Sequence, residues 1–130
     1  LRTYPDNAFD YVILSQTIQA TRNPREVLQQ MKRIGRRAVV SFPNFGNWRV
    51  RLQLLCSGRM PVTRTLGHAW YDTPNMHLCT VRDFVALCEE VDFNIDDAVS
   101  VSGNRARRVG RPGRIDNLLA EDAVLLLSRK

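Results

Sequence analysis

Between positions 71 and 77 the chain places Tyr71, Asp72 and His77, three side chains able to move or hold a proton. Histidine is the side-chain type suited to proton transfer at physiological pH, so His77 is a candidate general base. Tyr71 and His77 are the catalytic candidates, although a loop histidine is more often a packing or hydrogen-bonding residue. His77-Leu78-Cys79 offers two metal-ligand types, but no second pair stands near them in sequence, so no metal site is expected. The three cysteines, Cys56, Cys79 and Cys88, are an odd number without CxxC spacing, and they read as buried structural thiols.

A second kind of chemistry is binding. Two short polar stretches, Ser15-Gln16-Thr17 and Pro43-Asn44-Phe45, each follow a run of apolar and β-branched residues. In open parallel sheets a ligand sits outside the carboxyl ends of the strands, and these six residues stand at such ends. The spacing makes Ser15, Gln16 and Thr17 one half of a ligand rim and Pro43, Asn44 and Phe45 the other half.

That expectation requires two neighbouring parallel strands. Phe9 to Leu14 is apolar on both faces, which suits a strand buried in a parallel sheet. Asn23-Pro24-Arg25-Glu26 supplies an N-cap, a first-turn proline and a capping glutamate. Val27, Leu28, Met31 and Ile34 then recur at helical spacing until Gly35. Ala38 to Phe42 reads as the second strand, closed by Pro43. Strand, helix and strand in this order form a right-handed βαβ unit with parallel strands.

Downstream, Trp48, Leu52 and Leu55 predict a shorter helix ending at Gly58, with Trp48 and Trp70 as packing anchors. Residues 59–79 lack a clean period and contain Pro61, Gly67 and Pro74, as an ordered loop covering a site would. Thr80-Val81-Arg82-Asp83 opens a third helix with Phe84, Leu87, Cys88 and Val91 on its apolar face. Ile95, Val99 and Val101 alternate as a strand, a basic loop follows, and Ala123 to Leu127 forms a last buried strand antiparallel to it.

The residues FDYVILSQTIQA, at positions 9–20, resemble the fourth-strand segment of class I S-adenosylmethionine-dependent methyltransferases, with Asp10 as the acid that follows an aromatic residue. NPREVLQQMKRIGRRAVVSFPN is similar to the helix, fifth strand and Pro-Asn that come next in that fold. More narrowly, SFPNFGNWRVRLQLL, GRMPVT and WYDTPNMHLCTVRDF resemble the MetW family of methionine biosynthesis proteins, from about Tyr4 to Phe93. The resemblance implies an α/β, Rossmann-like class I methyltransferase fold whose parallel sheet ends in an antiparallel strand. The family's Gly-rich cofactor loop and ribose-binding acid have no counterpart in these residues. Residues 1–130 are thus expected to be one domain truncated at its amino terminus, with that portion missing.

The resemblance further implies S-adenosylmethionine as cofactor, with Ser15, Gln16 and Thr17 beside its methionine moiety and Pro43, Asn44 and Phe45 nearer an acceptor. It implies homoserine O-acyltransferase as partner, and a protein that either transfers a methyl group or only senses the cofactor. Two alternatives stand beside it. One is an active methyltransferase for a small molecule unrelated to methionine, and the other is nucleic-acid binding through a basic loop.

Composition sets the outer limits. At 130 residues, 44% hydrophobic and 25% charged, with 7 Gly and 6 Pro, the chain is neither low-complexity nor disordered. No apolar run approaches the length of a bilayer span and no signal peptide is apparent, so a cytoplasmic protein is expected. Arg105, Arg107, Arg108, Arg111 and Arg114 supply +5 of the net +6. Because they sit beside Gly110, Pro112 and Gly113, they read more simply as a solvated loop than as a nucleic-acid surface.

Overall fold

The computed structural model describes residues 3–63, 71 and 77–129. Arg64, Gly67, Trp70, Asp72 and Pro74 lie outside the described residues. Strand β1 (Phe9–Ser15) leads through a single 3-10 turn (Ile18–Ala20) to helix α1 (Pro24–Ile34) and strand β2 (Gly35–Pro43). Helices α2 (Trp48–Ser57) and α3 (Val81–Glu90) follow, then β3 (Phe93–Ser102), β4 (Arg105–Arg108), α4 (Arg114–Leu119) and β5 (Asp122–Arg129).

Among the described residues, five strands form one mixed sheet in the order β1-β2-β5-β3-β4. β1 and β2 are parallel, in a register that ends with Ser15 beside Ser41. β5 inserts between β2 and β3, antiparallel to both. The expected βαβ unit and the antiparallel last strand are both present.

Local chemistry accounts for the elements. Asn23 Oδ1 accepts from the Glu26 N–H at 3.1 Å, and Pro24 follows at the first helical position, which fixes where α1 starts. Thr80 caps α3 in the same manner by accepting from the Asp83 N–H at 3.1 Å. Gly35 closes α1 in an extended conformation, and it is glycine for want of room: a Cβ there would stand 2.5 Å from Val12 Cγ2. The core lies on one sheet face, where Leu28 and Met31 of α1 and Phe84 and Cys88 of α3 pack on Val40, Phe42, Leu125 and Leu127. Arg25 of α1 pairs with Glu90 of α3, and Lys32 Nζ donates to the Val91 carbonyl at 2.9 Å.

β1 is the outer strand on its side of the sheet. Tyr11 and Ile13 register with Arg37 and Val39, on the face away from the core, and are 54% and 69% exposed. An apolar strand expected to be buried on both faces is thus exposed on one and half-buried on the other, where Val12 and Leu14 pack against the core.

Three further expectations are corrected. Trp48, Leu52 and Leu55 do form a helical stripe, but it faces outward, with Leu55 83% exposed, and Val50 is the residue of α2 that is buried. Trp48 is therefore no core anchor; the Arg49 guanidinium lies 5.3 Å from its ring centre. Of the thiols, Cys88 is buried, Cys79 half-buried and Cys56 exposed. The basic loop is a hairpin strand followed by α4, turned at Gly103 with φ of 58°.

Candidate functional site

β1 and β2 release the chain onto one rim, because they are parallel: β1 ends at Ser15 beside Ser41, and β2 runs two residues further to Pro43. At the end of β1, Gln16 adopts a left-handed conformation with φ of 53°, which a residue bearing a Cβ holds only when its surroundings enforce it. The surroundings are explicit. The Gln16 N–H donates to the Ser41 carbonyl at 2.9 Å and to Ser41 Oγ at 3.1 Å, and Gln19 Nε2 donates to the Gln16 carbonyl at 3.0 Å. Thr17 Oγ1 donates back to the Ser15 carbonyl at 2.7 Å, and Ser41 Oγ lies 3.4 Å from Ser15 Oγ. Ser15, Gln16 and Thr17 are all exposed, so the turn is tightly braced from within and open to solvent outside.

The second half of the rim is built differently. Asn44 is 1% exposed, and its side chain is fully engaged within the chain. Nδ2 donates to the carbonyls of Asn117 at 2.6 Å and Ala120 at 2.9 Å, while Oδ1 accepts from the N–H groups of Gly46 and Val81, each at 3.0 Å. The residue pins the β2–α2 turn to the start of α3 and the end of α4. Pro43 is buried and Phe45 half-buried, with the Phe45 N–H donating to the Cys79 carbonyl at 3.0 Å. What Asn44 fixes in this half of the rim is the shape of its turn.

The segment from His77 to Thr80 runs along the same rim. The His77 N–H donates to the Gln19 carbonyl at 2.8 Å, and its Nε2 lies 3.1 Å from the Arg22 carbonyl. A carbonyl only accepts, so this contact puts the neutral ring's proton on Nε2 and leaves Nδ1 as the basic nitrogen. Tyr71 is placed elsewhere. It is 77% exposed and lines a surface pocket with Gln53, Arg59, Met60 and Val62 at the end of α2, while His77 lies against the 3-10 turn. Burial first, and then the Asp83 carboxylate, push the Cys79 thiol up to about 12, so it is a protonated S–H at neutral pH.

Asp10 lies at the start of β1, away from the rim, with its carboxylate 3.9 Å from Arg36 Nε. Two arginines of the basic segment are spent on ion pairs: Arg108 with Asp97 at 2.6 Å, and Arg111 with Glu89. No helix among the described residues is long and apolar enough to cross a membrane.

Two features of the site escape sequence reasoning. The buried role of Asn44 has one visible signal, an amide directly after the proline that ends a buried strand. Ser41 points toward the rim from inside a strand, where period-two alternation with Val40 and Phe42 could have revealed it.

Comparison with known proteins gives a consistent result. The family model described as "Methionine biosynthesis protein MetW" matches residues 1–127. The chain is 35% identical over 131 residues to a bifunctional methionine biosynthesis protein MetXA/MetW of Rhodopirellula baltica, covering 100% of this chain and 21% of that protein. The chain thus spans about a fifth of that curated relative. Among solved structures, a SAM-dependent methyltransferase of Thermotoga maritima, described as a possible histamine N-methyltransferase, superposes with a TM-score of 0.67 at 12% identity, over 98% of this chain and 59% of that one. A SAM-dependent methyltransferase of Methanosarcina mazei gives 0.56 at 12% identity, over 98% and 62%. The fold is that of the Rossmann-like class I methyltransferases.

Proposed function

The chain belongs to the MetW family of methionine biosynthesis proteins, and from that membership we propose that it is the rim-bearing part of an S-adenosylmethionine-binding, methyltransferase-like subunit that acts with homoserine O-acyltransferase. The observation that carries the reading is the shared rim: two parallel neighbouring strands end on the same edge of the sheet, and one of them ends in a braced, solvent-facing turn at Ser15, Gln16 and Thr17. The joining of MetXA and MetW in one bifunctional relative supports the partner.

The residues fit the cofactor's methionine moiety. That moiety carries an ammonium and a carboxylate, and the rim offers hydroxyls at Ser15 and Thr17 and the Gln16 amide. Bound there, the sulfonium would supply an electrophilic methyl group, for which the protein contributes chiefly alignment. Ser15, Gln16 and Thr17 hold the ligand, and Pro43 and Phe45 shape the adjoining acceptor side while Asn44 fixes their turn. His77 Nδ1 is the base best placed to take a proton, whereas Tyr71 serves this reading only from the α2 side. Strength of binding in the whole protein also depends on groups beyond this rim.

The test uses the full-length protein. Calorimetry with S-adenosylhomocysteine should detect binding that Ser15→Trp weakens at least tenfold by filling the turn, while co-purification with homoserine O-acyltransferase persists. Turnover of S-adenosylmethionine that His77→Gln abolishes would mark an enzyme, and binding without turnover a sensor. A protein that binds neither cofactor nor acyltransferase overturns the reading.

A further inference from the structure

The outward stripe of α2 does not end with that helix. Trp48, Leu52 and Leu55 are 43%, 49% and 83% exposed, and on α4 Ile115 and Leu119, one helical turn apart, are 68% and 46% exposed. The two groups meet, because Trp48 and Leu119 share the walls of one surface depression of about 430 Å³. We propose that this row of five side chains is where the acyltransferase docks, a step that rests on the partner reading above and adds the place and chemistry of the contact.

Single exposed apolar residues are ordinary, but a contiguous row drawn from two elements far apart in sequence marks a contact surface. Its geometry is held in advance. Asn47 Oδ1 accepts from the Arg49 N–H at 2.9 Å, and its Nδ2 donates to the Leu119 and Ala120 carbonyls, each at 3.1 Å, so one buried side chain ties the start of α2 to the end of α4. A surface fixed in this way loses little conformational freedom on association. The depression beside Trp48 offers a socket for one anchoring side chain of the partner. The Arg49 guanidinium over the Trp48 ring supplies the aromatic and arginine pairing in which interface cores are enriched.

Charge defines the partner's face. Arg49, Arg51 and Arg114 border the row and are exposed, whereas the carboxylates beside it are half-buried and engaged, Glu121 with Arg49 at 3.7 Å and Asp116 with the Gly113 N–H at 2.9 Å. The complement is an apolar ridge flanked by exposed carboxylates. A second copy of this chain is a poor match, since pairing through the same face would set these arginines against one another. Other strands of the same sheet are also badly placed. β1 resembles the fourth strand of the fold, beyond which the earlier strands stand, and it lies three strand spacings, about 14 Å, from β3, against which α4 packs. Asn44, which shapes the rim, donates to the Asn117 and Ala120 carbonyls at the end of α4, so the docking face and the rim share one support.

The test titrates the full-length protein with separately purified homoserine O-acyltransferase and reads their affinity by calorimetry. Leu55→Glu and Ile115→Glu, both at strongly exposed positions, should each weaken binding about tenfold or more, while the circular dichroism melt and the affinity for S-adenosylhomocysteine stay unchanged. Arg114→Glu should weaken it about threefold and flatten its dependence on salt. The unaltered protein gives a reading that needs no variant: alkylation of Cys56, exposed on α2 one turn from Leu52, should slow severalfold in the complex. Binding by both Glu variants as tight as that of the unaltered chain, or a complex in which Cys56 stays fully reactive, overturns the docking face and leaves the partner reading standing. No binding by the unaltered protein removes both. Self-association that Leu55→Glu abolishes, or a Cys56 already shielded in the full-length protein alone, would assign the face to a second copy or to another part of the same chain and likewise overturn the proposal.

Discussion

Replacing Asn44 by Leu keeps the number and branching of the side-chain heavy atoms while deleting two donated and two accepted hydrogen bonds from a residue that is 1% exposed. The groups left behind are the carbonyls of Asn117 and Ala120 and the N–H groups of Gly46 and Val81. Ala120 keeps a second donor, since Asn47 Nδ2 reaches its carbonyl at 3.1 Å, so three groups are orphaned. At about 1–3 kcal/mol for each buried unsatisfied group, Asn44→Leu should destabilise the fold by at least about 3 kcal/mol. Asn47→Leu is the internal control. The Leu119 carbonyl that Asn47 also serves accepts from Ser102 Oγ at 2.7 Å, and the chief loss is the cap on the Arg49 N–H. A lost cap costs about 1 kcal/mol. Urea unfolding of the full-length protein followed by circular dichroism measures both, with unchanged slope as the check on two-state behaviour. If Asn44→Leu costs less than about 1 kcal/mol while ligand binding collapses, the residue is a ligand contact and the reasoning about a pinned turn is wrong.

Further outcomes follow from other parts of the chain. Ellman's reagent at pH 8 should titrate Cys56 rapidly and spare Cys79 and Cys88, whose thiols are pushed up to about 12, Cys88 by burial and Glu89 against the opposing pull of Arg111. Because an unfolded thiol ionises from about pH 8.5 and these two only near 12, the unfolded state binds fewer protons in between. Stability should therefore be intact below that range and fall as pH rises through it, and the double Cys79→Ala, Cys88→Ala variant should flatten the decline. Gly35→Ala forces a Cβ to within 2.5 Å of Val12 Cγ2 and should cost about 1–3 kcal/mol in urea unfolding. For residues 1–130 expressed by themselves, Ile13→Lys should raise soluble yield and sharpen the sedimentation profile, since Ile13 is 69% exposed on an apolar sheet face; an unchanged profile would show that this face does not drive association.

The elements that position the rim were legible because each carries its own local signal. Asn23, Pro24 and Glu26 announce the start of α1, and Ala38 to Phe42 can hardly be anything but a buried strand. What escaped was decided by tertiary context. β4 consists of Arg105-Ala106-Arg107-Arg108, without apolar alternation, and becomes a strand only by pairing with β3; the two-residue turn Gly103-Asn104 was its one available signal. α4 is six residues long with Ile115 68% exposed, held by the Asp116 carboxylate on the Gly113 N–H and by Asn44 on its last turn. The period of α2 was readable but its phase was not, because period alone does not say which side faces the core. At the rim, residue types and strand ends indicated Ser15, Gln16 and Thr17, whereas the left-handed Gln16 and the inward-turned Asn44 depend on partners 25 to 76 positions away.

The central claim is that the ends of β1 and β2 form the cofactor rim. Backbone amide shifts of the full-length protein during titration with S-adenosylhomocysteine test it most directly. The largest saturable changes within this chain should fall on Ser15, Gln16, Thr17 and the Asn44–Phe45 turn, with the opposite ends of the strands, at Asn7 to Phe9 and at Gly35, left unmoved. Saturable changes centred on those opposite ends, or on the β3–β4 hairpin, with the rim silent, would contradict it.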